Sequence, residues 1–300
     1  MTVINIATED YYARCPRESY PIMAAPRDHR VLIPVDVLGG ESVPTTVIDA
    51  FASVPIVLLG YRELPDQTGT DHARDQYGAR ARAGLEKLHT AFEDAGCLDV
   101  TSRLVFTHDR LQTFERIAVE ASCDAVLLLN PAPVLESVLV AIRGEVNLDH
   151  IAMHLETLLA GTELTVTFFH VVADETDRER GTELLDAAVD ALADTGVDRD
   201  RIDSSLMVDG SPTTAILDAT RDHDLLVVGE SRPSIRRFIF RDRAKTLAKG
   251  TVNPVLVIRG EYLEADNTEL TVDDTELPID DDAGRDGATA DETESPDNEP

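Results

Sequence analysis

No stretch of about 18 consecutive apolar residues occurs in this chain, which excludes an ordinary membrane-spanning helix. The first 30 residues show no basic region followed by an apolar core, so a secretory leader is not expected. Cysteine is scarce and scattered. Cys15, Cys97 and Cys123 form no Cys-x-x-Cys pair and no metal-ligand set, which fits a reducing, cytoplasmic compartment. Basic residues are few and lysine is rare: 27 Lys plus Arg face 57 Asp plus Glu, a formal net charge of −30. Such a field repels phosphodiester backbones and argues against nucleic acid as a partner. No pair of carboxylates stands out from the acidic background as a general acid and base, so no catalytic residue is named and a non-enzymatic role is expected.

What is present reads as a folded protein. The hydrophobic fraction of 43 % supplies a core, and 300 residues allow about two domains of ordinary size. The acids are interleaved with periodic apolar segments, unlike those of a disordered chain. This pattern points to a halophilic, high-salt cytoplasm, where salt screens the self-repulsion. Residues 261–300 are different. They hold 16 acids and the single base Arg285, and read as a disordered acidic tail. Residues 1–30, with Pro16, Pro21 and Pro26, read as an irregular N-terminal arm.

Between these ends, apolar strands alternate with helical segments. Strands are expected at Val31–Asp36, Val54–Gly60, Arg103–Thr107 and Ala125–Leu129, with helices at Val43–Ala52, His72–Ala95 and Leu111–Ala121. The order then recurs. Strands are expected at Val138–Ile142, Leu164–Val172, Ser204–Val208, Leu225–Val228 and Val255–Ile258, with helices at Leu148–Ala160, Arg178–Ala193 and Thr213–Thr220. Gly96 and Gly196 are placed to end the two long helices. Alternation at this spacing means crossover connections and a mainly parallel sheet, and unbroken apolar strands mean a sheet covered on both faces. The expected class is α/β with two Rossmann-like or flavodoxin-like repeats, at 31–135 and 136–260.

Three motifs in the second passage carry a family resemblance. They are the turn Asp209-Gly210-Ser211-Pro212, the run Asp224-Leu225-Leu226-Val227-Val228-Gly229, and the closing Asn253-Pro254-Val255-Leu256-Val257-Ile258-Arg259. Together they resemble the universal stress protein family over Val138–Arg259. The first passage, Val31–Pro133, is similar more loosely, through its opening strand ending in Asp36 and its strand order. The resemblance implies an adenine nucleotide alpha hydrolase-like fold and a stress-response role. In the ATP-binding branch it implies an aspartate after the first strand that contacts adenine, and a Gly-x2-Gly-x9-Gly-Ser/Thr loop after the fourth. Glycines there let backbone N–H groups approach phosphates.

This chain departs from that pattern in both passages. Asp36 matches the adenine aspartate, but the first passage has no glycine loop, and no room for its last helix or more than a stub of its fifth strand. In the second, Gly229 matches the first glycine. Arg232 and Pro233 stand where the next would lie, Arg241-Asp242 replaces Gly-Ser/Thr, and Arg143-Gly144 follows the opening strand instead of an aspartate. The expectation is a degenerate nucleotide site with no resident cofactor. ATP or another adenine nucleotide is the alternative, held by a composite of Asp36 with the basic loop of the other passage. Residues 232–249 carry seven bases against one acid. If helical, Arg237, Arg241, Lys245 and Lys249 share a face. They read either as a solvated face paired with nearby acids or as an anion site. In the second reading Arg232, Arg236, Arg237 and Arg241, with Gly229, bind a phosphorylated ligand. A third reading docks an acidic partner or the tail there.

The family's usual dimer runs through its last strands. A pseudo-dimer of the two passages is therefore expected, or a homodimer through a free Val255–Ile258 strand, or docking to a protein partner such as a transporter. Gly229-Glu230-Ser231-Arg232-Pro233 fails as a nucleophile elbow because Pro233 replaces the second glycine. His150 and His154 are four apart on one helix and could share a metal, but Ile151 stands where a zinc protease needs Glu. They read as a structural pair, or as one packed and one exposed histidine. Asp149 reads as an N-cap and His170 as packed or turn-capping.

Overall fold

The computed structural model describes residues 29–130, 134–144, 148–229 and 250–259. The N-terminal arm up to Asp28, the basic run 232–249 and the acidic tail lie outside them.

Among the described residues nine strands form one sheet: β1 (Val31–Asp36), β2 (Ile56–Glu63), β3 (Val100–Thr107), β4 (Ala125–Leu128), β5 (Ser137–Ile142), β6 (Thr165–Val172), β7 (Ile202–Val208), β8 (Leu225–Gly229) and β9 (Val255–Ile258). Their order is β3-β2-β1-β4-β9-β8-β5-β6-β7. All neighbours are parallel except β4 and β9, which run antiparallel with Ala125 opposite Ile258 and Leu128 opposite Val255. The sheet therefore has two lobes of the same strand order, β3-β2-β1-β4 and β7-β6-β5-β8, with β9 between β8 and β4. Unbroken apolar runs such as Val-Leu-Ile and Ile-Val-Leu-Leu occupy the interior strands, buried on both faces. The outer strands β3 and β7 carry Thr101, Ser102, Arg103, Asp203, Ser204 and Ser205 in exposed positions. Polar residues on an edge strand oppose pairing with another chain.

The helices α1 (Thr45–Ala50), α2 (Thr70–Asp94), α4 (Leu148–Leu159) and α5 (Arg178–Asp194) cover one face, with Phe51, Phe92, Leu155 and Leu192 in its core. The helices α3 (Arg110–Glu120) and α6 (Pro212–Ala219) cover the other, through Phe114, Ile117 and Ile216. Gly96 and Gly196 take φ of +99° and +102° just after α2 and α5, as helix-ending glycines. Asp109 caps α3 by accepting a hydrogen bond from the Gln112 N–H at 3.0 Å. Asp149, expected as a cap, lies instead inside the first turn of α4, where a negative charge favours the helix dipole.

Pro34 sits inside a central strand, where a missing N–H is usually disallowed. Its position explains the exception. The Val31 N–H donates to Pro55 O on the β2 side. Alternation then turns the Pro34 nitrogen toward β4, where pairing with β1 stops after Leu32. The two strands diverge beyond that point.

The seam between the lobes is held by more than the β4–β9 ladder. Asn130, just past β4, donates from Nδ2 to Asn253 O at 2.7 Å and to Thr251 O at 3.3 Å. Asn253 in turn donates to Thr220 O and His223 O, tying the turn before β9 to the end of α6. Arg259, 6 % exposed, donates from Nη1 to Cys123 O at 2.8 Å. Since β9 is paired on both sides, it offers no free edge, and the expected homodimer through Val255–Ile258 is corrected on that ground.

Asn253→Ala leaves two carbonyls of the seam without their donor. It should lower the unfolding free energy by about 2–4 kcal/mol, read from urea midpoints in molar KCl.

Candidate functional site

In open parallel sheets, ligands bind beyond the carboxyl ends of the strands, at the point where the chain reverses its direction of winding. Each lobe has one such point: between β1 and β4, and between β5 and β8. The ladders allow the two to be compared. Val31 pairs with Ala125 as Val138 pairs with Leu225. Counting onward, Asp36 corresponds to Arg143, and Leu129 corresponds to Gly229. One lobe keeps the carboxylate without the glycine, and the other keeps the glycine without the carboxylate.

Asp36 is also fully engaged. Its Oδ1 accepts from the Gly39 and Leu38 N–H groups at 2.8 and 3.2 Å, and its Oδ2 pairs with Arg62 Nη1 at 3.2 Å. Gly39 presses so close that a Cβ there would lie 2.6 Å from Oδ2. The Asp36 N–H donates to Glu41 Oε2 at 2.6 Å. Burial pushes the Glu41 carboxyl above its ordinary range; the Asp36 N–H pulls it back, and the Asp36 charge adds to the rise. The Tyr61 hydroxyl is pushed up in the same way, by burial first and then by Glu41, against a hydrogen bond from Arg110. The mouth of this lobe is thus a closed set of acid, base and turn contacts, with three carboxylates (Asp36, Glu41, Glu63) against Arg62 and Arg110. With three acids against two bases it keeps an excess of negative charge, unlike a phosphate cradle.

In the other lobe Gly229 ends β8. An added Cβ would meet Ile151 Cδ1 of α4 at 2.9 Å, so the glycine permits close helix–sheet packing. His170 Nδ1 lies 2.9 Å from Ile142 O and secures the end of β5. The residues with the family look are structural where they can be followed. Asp224 receives the Glu136 N–H, the Ser137 N–H and the Ser137 hydroxyl at 2.9–3.0 Å, anchoring the start of β5. Asp209 Oδ1 accepts from Ser211 N–H at 2.6 Å and sets the turn that delivers Pro212 to the first position of α6. Arg232, Arg236, Arg237 and Arg241 lie outside the described residues.

Asp36 and Gly229 do not stand together. Gly229 is level with Ile258, Ile258 with Ala125, and Ala125 with Val31. Asp36 is five residues further along β1 and three strands away, about 17 Å along the strands and about 14 Å across them. The antiparallel seam points the carboxyl ends of β1 and β8 to opposite edges of the sheet. Asp36 and Gly229 therefore belong to different mouths.

Other features are quieter. Cys97 and Cys123 are free and buried, and burial pushes the Cys123 thiol up to about 12, so it is not a reactive thiolate. An open hollow of about 600 Å³ at the start of α5 is lined by Glu175, Glu179 and Glu183 with Arg178, the wrong charge for phosphate. His150 and His154 are both buried, at 6 % and 4 % exposure, which corrects the alternative of one packed and one exposed histidine. Sequence reading missed their third companion, His29. It sits more than a hundred residues earlier, and no spacing signal connects them. Among the described residues no helix is long and apolar enough to cross a membrane.

Residues 135–259 match the universal stress protein family. No curated protein matches the sequence. Among solved structures, a universal stress protein from Archaeoglobus fulgidus DSM 4304 aligns over 78 % of this chain and 97 % of its own, with 16 % identity and a TM-score of 0.51, and shares the fold. A universal stress protein from Archaeoglobus fulgidus in complex with dAMP aligns over 41 % of this chain and 97 % of its own, with 20 % identity and a TM-score of 0.35.

Glu41 gives a test of the closed mouth. Its folded pKa lies above 4.5, so the charged form present at neutral pH costs stability, and the cost vanishes below 4.5, where the carboxyl is neutral in both states. Glu41→Gln keeps an acceptor for the Asp36 N–H. It should raise the urea midpoint at pH 7, with the advantage shrinking as the pH falls toward 4.5. A variant no more stable than the parent at pH 7 would show that Glu41 is not held in a desolvated site.

Proposed function

We propose that this chain, which carries a universal stress protein domain over residues 135–259, is a non-catalytic stress-response regulator of a high-salt cytoplasm whose nucleotide site has been dismantled. The reading rests on one observation above all: the two halves of the family-type site stand at opposite edges of the sheet, Asp36 at one and Gly229 at the other. Asp36 is further occupied by Arg62 and its own turn. Among the described residues neither mouth has both the carboxylate for a base and the side-chain-free backbone for a triphosphate. The lobes are read as tandem repeats, the first of which borrows β9 in place of its own fifth strand, so that they pair as a built-in pseudo-dimer. The surplus of acids, −30 overall, supports a protein that folds best when salt screens it.

A second reading keeps a ligand in the second lobe alone. The seven bases of 232–249 directly follow the Gly229 mouth, in a chain otherwise dominated by acids, and this favours an anion bound through arginine forks. Under this reading Arg232, Arg236, Arg237 and Arg241 take over what glycine amides do elsewhere in the family.

Calorimetric titration of the full chain with ATP, AMP and cyclic AMP in molar KCl separates the two. The regulator reading expects no measurable heat with any of them. Micromolar binding abolished by changing Arg236, Arg237 and Arg241 together to Ala would replace it with the arginine-site reading. Micromolar ATP binding that survives the triple change would overturn both.

A further inference from the structure

Three histidines from distant parts of the sequence meet at the seam. His150 and His154 lie one turn apart on α4, so their rings share one face of the helix. His29 precedes β1 and reaches α4 from the other lobe. The ring centroids of His29 and His154 are 4.7 Å apart, those of His150 and His154 4.8 Å, and those of His29 and His150 5.9 Å. One ligand nitrogen from each of the three lies within 4.8 Å of the others.

Such a cluster is an odd thing to bury. Among the described residues neither His29 Nδ1 nor His154 Nε2 has a hydrogen-bond partner, although both atoms are shielded from solvent. Buried polar atoms are almost always paired, and an exception calls for an explanation, of which a bound ion is one. His29 is held for this contact with φ of +39°, a left-handed conformation that only a minority of side-chain-bearing residues adopt. It stands two residues before the buried strand β1.

We propose that His29, His150 and His154 form a binding site for a d-block divalent cation, with Zn²⁺ the best fit to the donor set. Three imidazoles and no carboxylate suit Zn²⁺, Co²⁺, Ni²⁺ or Cu²⁺, and exclude the oxygen-seeking Mg²⁺ and Ca²⁺. Tetrahedral zinc with bonds of about 2.0–2.1 Å requires nitrogens about 3.3 Å apart. The trio, now within 4.8 Å of one another, would have to close to that spacing on binding. Imidazole binds metal in its neutral form. The site leaves one position of a tetrahedron for water.

The site would act as a staple. Its ligands join the lead-in to β1 in the first lobe to α4 in the second, at the sheet edge where Gly229 lies. Ile151, between the two helix ligands, is the residue that packs against Gly229. Metal occupancy would therefore fix α4 against both the first lobe and the second lobe's mouth. This inference does not depend on whether either mouth binds a nucleotide.

Cobalt titration of the chelator-treated full chain in molar KCl decides it. One equivalent of Co²⁺ should produce the strong visible absorption of a tetrahedral nitrogen site, and Zn²⁺ should bleach it. The acidic tail can bind Co²⁺ only as a weakly absorbing octahedral complex, so it does not imitate the signal. Zn²⁺ at a hundred times its Kd should raise Tm by about 5–10 °C. His29→Ala, at a partly exposed position outside the strands, should keep the far-ultraviolet circular dichroism of the parent. It should lose the cobalt spectrum and at least about 100-fold in Zn²⁺ affinity. No tetrahedral spectrum with the parent protein, or one unchanged in folded His29→Ala, would overturn the proposal.

Discussion

Everything distinctive in this molecule follows from the pairing of β4 with β9 in opposite directions. Two parallel half-sheets could each have ended in an exposed apolar edge. Instead a single strand, Val-Leu-Val-Ile, closes both, bonding to β8 on one side and β4 on the other. The antiparallel step inverts one half relative to the other. It fixes where every strand end, turn and helix terminus of one lobe can lie with respect to its counterpart.

The division of the candidate site is a direct consequence. Because the strands of the lobes run oppositely, their carboxyl ends cannot face one another, and features that correspond in sequence order stand at opposite edges. Each mouth then has to be judged by itself. The first has been filled by its own charges: Arg62 takes the aspartate, Glu41 takes the strand's last N–H, and Gly39 packs on the carboxylate it might otherwise have left open. The second keeps a glycine, but the space above it is partly taken by Ile151. Residues that look like family signatures, Asp224 and Asn253 among them, earn their place by holding strand ends and the seam.

The sheet was readable from the sequence because its chemistry is local. Unbroken apolar runs at Val31, Ile56, Ala125, Val138, Leu225 and Val255 announce interior strands, and Gly96 and Gly196 announce helix ends. Boundaries shifted by a few residues, as at β3, where Val100–Ser102 alternate too little to read as a strand. Pairing was not legible, since periodicity states that a strand is buried but not which neighbour buries it. Val255–Ile258 therefore read as a possible free edge when it is a central strand. The histidine trio was half legible. The i, i+4 spacing of His150 and His154 is a local signal, whereas the approach of His29 depends on how two lobes dock.

The seam also sets a schedule for the chain's own synthesis. β4 is complete by residue 128, but the strand that covers its open side ends only at residue 258. Throughout the making of the whole second lobe, the first would carry an unpaired row of backbone donors and acceptors beside Ala-Val-Leu-Leu, the kind of surface that recruits stray strands. Only when the last strand slides in is the first lobe sealed. A ribosome stalled or a chain truncated before Val255 would release a product with its most adhesive edge uncovered, so the integrity of the first lobe depends on the last of the described strands to be made.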